Sequence, residues 1–121
     1  MRSKRLDFPS ISSAIQAIDD LGSNNSEMMA TRAIHINVLL KQVPGEAARV
    51  IKSVYNQVGA EAAISSQAYY GDDEVSTDML AMGTIYQHRE VRRVIATTSP
   101  WVRPWIDEIE GIVENAPETA G

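Results

Sequence analysis

From Pro44 to Tyr70, Ala47, Ile51, Val54, Val58, Ala62, Ser65 and Tyr69 recur at steps of three and four, while Glu46, Arg49, Lys52, Asn56 and Glu61 fall elsewhere. That period lines one face of an α-helix, and Val50, Ile64 and Ala68 widen the stripe. Pro44 suits a first helical position, where its missing N–H costs nothing, and Glu46 sits near the positive end of the dipole. Gly71 is a natural stop. Gly59 in the middle costs about 1 kcal/mol against alanine, so it either divides the stretch or lets a neighbouring backbone approach; the undivided helix is the preferred reading. At 1.5 Å per residue it runs about 40 Å, longer than the roughly 35 Å diameter of a compact chain of this size. The remaining elements should then pack along it.

The flanking pattern adds shorter elements. Ser10 can cap a helix with Ile11, Ala14, Ile15, Ile18 and Leu21 on one side, ended by Gly22. Glu27 to Val43 begins with helix formers and then alternates at Ile34, Ile36, Val38 and Leu40. A helix is preferred there, with a strand from about Ala33 to Leu40 as the alternative. After an acidic loop, Ser76 or Thr77 can start a short helix through Met79, Leu80 and Met82 to Gly83. Helical spacing of Val91, Val94 and Ile95 favours a helix from about Tyr86 to Ala96, although 91–98 also has β-branched content. Pro104 opens a last helix with Trp105, Ile109, Ile112 and Val113 on its buried side.

These elements predict a mainly α fold around one long central helix at about 44–70, with a small β element, and α+β as the alternative. The expected organisation is a flexible basic arm at 1–9, a single helical domain at 10–115 and a disordered tail at 116–121.

Composition changes this picture little. The 121 residues include no cysteine, which removes disulfide scaffolds and thiol chemistry. No apolar run has the length of a membrane span or signal peptide, so a cytoplasmic or virion location is expected. The net charge of −5 disfavours general nucleic-acid binding. Charge is uneven, with three bases in residues 1–5 and five acids and no base from Pro104 onward, a pattern that allows head-to-tail contact between copies.

Candidate chemistry is sparse. His35 and His88 have no metal-ligand spacing, and Asp72, Asp73, Glu74 and Asp78 lack the alternating, glycine-containing pattern of a calcium loop. No nucleophile motif or phosphate loop is present. Tyr69, Tyr70, Trp101, Arg103 and Trp105 are candidate interface anchors, because aromatic residues and arginine carry interface hot spots. Arg89, Arg92 and Arg93 form a basic helical face and are candidate phosphate contacts.

A leucine pair before a proline (Leu39, Leu40, Pro44), an alanine-rich helix to Tyr70, a polar Thr/Asp loop and the segment IATTSPWVRPWIDEIEG together resemble the layout of small neck or tail-completion proteins of long-tailed bacteriophages, over residues 36–111. The resemblance implies a virion assembly protein whose later part holds a strand followed by an aromatic turn. Thr77-Asp78-Met79-Leu80 stands where that family has a Thr-Gly-x-Leu turn, and no functional residue carries over. The resulting expectation is a non-enzymatic assembly protein acting on copies of itself or on other assembly proteins, without cofactor, metal, membrane or small-molecule substrate. The alternative is a small regulatory or nucleic-acid-associated helical domain using Arg89, Arg92 and Arg93. A third reading is an acid/base or metal-dependent enzyme around Asp72 to Asp78 and His88.

Overall fold

A computed structural model describes residues 2–72 and 74–119, with side chains through Asn115. Residues 2–7 have no regular structure and are exposed. Helix α1 (Ile11–Asp20) starts at Ser10, whose hydroxyl accepts the Ser13 N–H while Ser13 Oγ accepts the Ser10 N–H. It packs on α2 (Ser26–Thr31), and Ala14 and Ala30 are fully buried. The guanidinium of Arg32 lies 4.1 Å over the Tyr86 ring and ties the end of α2 to the later helices.

The alternation after Ala33 then makes strand β1 (His35–Pro44), which buries Val38, Leu40 and Val43. Helix α3 (Gly45–Gln57) follows without a loop. Next come a short strand β2 (Glu61–Ala63), one turn of helix α4 (Ser66–Tyr69) and strand β3 (Ser76–Thr84). Helix α5 (Ile85–Thr98) again follows directly, opened by a Thr84/Gln87 capping box. A 3-10 turn (Pro100–Val102) leads into α6 (Arg103–Thr119).

In the sheet order β1-β3-β2, both outer strands run antiparallel to β3. β1 pairs from His35 with Thr84 to Leu40 with Met79, then shifts register and resumes at Val43 with Thr77. The shift is a bulge at Lys41 and Gln42, where Gln42 takes φ +55°. Asp78 holds it, accepting the Gln42 N–H at 3.1 Å and Lys41 Nζ at 3.2 Å. These bonds, that from Gln42 first, keep the Asp78 carboxyl below its ordinary range. α3 lies against β2 and β3, α5 against β3, and α6 against β1. The core of Val38, Leu40, Ile51, Tyr55, Met79, Val91, Ile95, Ile109 and Val113 fills the space between this helix layer and one face of the sheet.

The fold is therefore α+β, and the mainly α expectation is overturned. The long helix does not exist: Gly59 takes φ +81° and ends α3, with its N–H bonded to Asn56 O and the Ala60 N–H to Tyr55 O. This pair of bonds is the Schellman closure that favours glycine. Ala62, assigned to the helix face, is buried instead as the middle of β2. The helix preferred from Glu27 to Val43 stops at Thr31 and gives way to β1. The short helix expected from Ser76 is β3, whose Thr77, Met79, Ala81 and Gly83 alternate inward. The tail expected at 116–121 carries helical backbone to Thr119, and its last two residues lie outside the described residues.

Two glycine substitutions test this geometry. Gly59→Ala should destabilise by about 1–2 kcal/mol, the cost of a left-handed conformation for an L side chain, whereas in an undivided helix it would stabilise by about 1 kcal/mol. The sign of the shift in thermal midpoint decides between them. A Cβ at Gly45 would stand 2.7 Å from Asp72 O and 2.8 Å from Val75 O. Because both are backbone atoms, Gly45→Ala should cost about 1–3 kcal/mol by chemical denaturation.

Candidate protein interface

With the helices on one side, the other face of the sheet is bare. His35, Asn37, Leu39 and Lys41 of β1, Asp78, Leu80, Met82 and Thr84 of β3, and Glu61 and Ala63 of β2 point to it by strand alternation. Register sets Leu39 opposite Leu80 and Leu80 opposite Ala63, with Met82 one row along between Asn37 and Glu61. An apolar centre results, in which Leu39 is 53% exposed, Ala63 is exposed and Leu80 and Met82 are half-buried. Its charged rim is internally paired: Lys41 with Asp78 at 3.2 Å, and Lys52 with Glu61 at 2.8 Å. The hydrogen bond from Lys52, then that from the Ala62 N–H, holds the Glu61 carboxyl below its ordinary range.

The sequence-predicted residues do not form one site. Tyr70 is 83% exposed and stacks edge-on against Tyr69 with ring centroids 5.1 Å apart. Tyr69 sits 5.9 Å from Lys52 Nζ, beside β2. Trp101 is 49% exposed on the 3-10 turn, which packs on α3, α5 and α6. Trp105 is partly buried against the core, and Arg103 turns to Asp107 at 3.5 Å. The candidate phosphate contacts are already engaged. Arg89 makes a two-pronged bond to Glu114, Arg92 meets Glu110 at 2.6 Å, and Arg93 meets Glu90 at 2.7 Å. The first two clasp α5 to α6 across a cleft of about 640 Å³.

That cleft lies over Tyr55 and His88, both buried. The Tyr55 hydroxyl lies 2.7 Å from His88 Nδ1, and His88 Nε2 lies 2.8 Å from the Ile36 carbonyl. A carbonyl only accepts, so Nε2 carries the proton and Nδ1 accepts from the phenol. Burial, opposed by the bond to Ile36, pulls the His88 pKa below the ordinary value, and burial pushes Tyr55 upward. The pair joins α3, α5 and β1 and is fully hydrogen-bonded, an arrangement suited to bracing. His35 is exposed and bonds Asn37 Oδ1 at 2.9 Å.

Among the described residues, no group of three or more histidine or acidic side chains is placed to hold a metal, and no helix is long and apolar enough to cross a membrane. Asp73 lies outside the described residues. Sequence reasoning missed Leu80, Met82 and Ala63 as surface residues because 76–83 and 61–63 were assigned to helices; the signal was the inward alternation Thr77, Met79, Ala81. No family model, curated protein or solved structure matches the chain.

The brace makes stability depend on pH. Below the ordinary histidine value of 6.5 and above the lowered folded value, the unfolded chain binds a proton that the folded chain does not. Stability should thus be fully present above this window and fall as pH drops through it. Glu61 and Asp78 add their own losses only below their ordinary 4.5 and 3.8. Thermal midpoints measured from neutral pH to about 5.5 should fall for the native chain more steeply than for His88→Gln. Tyr55→Phe, which leaves Nδ1 without a donor, should cost about 1–3 kcal/mol at neutral pH.

Proposed function

We propose that this protein is a non-enzymatic assembly subunit that acts through protein–protein contacts, with the bare sheet face and its adjoining β1 edge as the contact surface. The observation that carries this reading is the one-sided sheet, whose apolar centre of Leu39, Leu80, Met82 and Ala63 has no covering layer. A contiguous apolar surface with a polar rim is the composition of an interface core. The paired rim charges leave little net charge there, so contact with another protein meets no large desolvated charge. On the resemblance of residues 36–111 to phage neck and tail-completion proteins, the assembly we propose is a virion component. The nucleic-acid alternative is less well supported, since Arg89, Arg92 and Arg93 each meet a carboxylate of the chain itself.

Leu39 belongs to both the face and the edge and is exposed, so Leu39→Lys changes the surface with little effect on the core. The weight-average mass from light scattering should rise with protein concentration for the native chain, and Leu39→Lys should reverse that rise while leaving the thermal midpoint nearly unchanged. A native chain whose mass stays at that of the monomer throughout would sink the reading.

A further inference from the structure

β1 is an outer strand of the sheet, with one edge facing away from β3. Ile85 N–H donates to Ile34 O, which makes 34 with 85 a hydrogen-bonded pair of the antiparallel ladder. Alternation along such a ladder then turns the N–H and C=O groups of Ile36, Val38 and Leu40 toward β3. Those of His35, Asn37 and Leu39 point away from it, and β1 has no other neighbour in the sheet. Proteins usually guard such edges with charges, proline or bulges. Here Lys41, the bulge at Gln42 and Pro44 guard only the second half; residues 35–40, HINVLL, carry no formal charge.

The helix beneath the edge points the same way. On α6, Asp107, Glu110 and Glu114 line the flank facing α5, where Glu110 and Glu114 meet Arg92 and Arg89, and Ile106, Ile109 and Val113 are buried. At 100° per residue, Trp105 and Ile112 fall on the opposite flank. Because α5 lies against β3 and α6 against β1, that flank is on the side of the free edge. Ile112 is 45% exposed. The outer edge of β1 thus sits above an apolar helix flank, with Glu108 as the one charged residue there among the described residues.

We propose that two copies pair through β1 about a two-fold axis at Asn37, joining the two sheets into one of six strands and bringing the two α6 flanks together. This rests on the assembly reading above and names its partner. The pattern is self-complementary: antiparallel pairing centred on Asn37 sets His35 against Leu39 of the other copy and Asn37 against Asn37. All of these are outward-facing residues, and no like charges meet. Lys41 falls outside the paired segment.

The absence of cysteine gives a clean test. Across this axis the two Asn37 Cα atoms would stand about 5.5 Å apart, inside the roughly 4.4–6.8 Å span of a disulfide. The two His35 positions would be about 14 Å apart along and across the strands. Under mild oxidation Asn37→Cys should form covalent dimer about tenfold or more faster than the exposed collision control Leu21→Cys, because a formed pair holds the thiols at millimolar effective concentration. His35→Cys alone should match the control, and the double variant His35→Cys with Leu39→Cys should cross-link. Circular dichroism confirms that each variant is folded, and the double variant reports the same register should Asn37→Cys misfold. A native chain that associates with concentration while neither Asn37→Cys nor the double variant outpaces Leu21→Cys overturns the β1 pairing and leaves the assembly reading standing. A native chain that is monomeric at every concentration overturns both.

Discussion

The antiparallel pair of β1 and β3 is closed at each end by the first residue of a helix. Gly45, which opens α3, donates its N–H to Val75 just before β3; Ile85, which opens α5, donates to Ile34 just before β1. Each helix thus leaves its strand with no loop and no freedom to swing, and the ladder has a helix bolted to either end. The tolerance is small at one of these junctions, where even a methyl group at Gly45 would meet two carbonyl oxygens. Loop-free junctions of this kind place the strand pairing and the helix layer under one constraint, since neither can shift register without the other.

The one-sidedness of the molecule follows. Both junctions send their helices beneath the same face, and α6, returning antiparallel to α5, fills the remaining space under β1. Tyr55 and His88 then tie α3, α5 and β1 together at the floor of the cleft between α5 and α6. That histidine is bonded at both nitrogens, and the arginines above it pair with Glu110 and Glu114. The interior pair is arranged as a brace. On the surface that the helices do not cover, an apolar centre, an edge strand and an exposed helix flank adjoin.

Local signals were the readable part of this chain. Ser10 marked the start of α1, Pro104 that of α6 to within a residue, and the spacing of Val91, Val94 and Ile95 the body of α5. Each element carries its own cap and its own period, so no distant contact is needed to recognise it. The alternation in IHINVLL was also visible, but it competed with good helix formers just upstream. The failure at 44–70 has a physical cause as well: Ala62 and Ala68 are both fully buried, one from a strand and one from a single helical turn, and they continue the spacing of α3 by coincidence. Small residues such as Ala81 and Gly83 likewise hid the alternation of β3, because a small side chain can face inward without looking apolar.

By itself, then, the sequence determined which segments are amphipathic, where several helices begin, that thiol chemistry is absent and that the arginines lie on one helical face. Only the tertiary structure decided that Gly59 ends a helix, that three strands form a sheet, that its outer face stays bare and that each of those arginines meets a carboxylate. The reason is range. Caps and periods act over one or two turns, whereas strand pairing, the approach of Val75 to Gly45 and the ion pairs between α5 and α6 join residues some twenty to fifty positions apart.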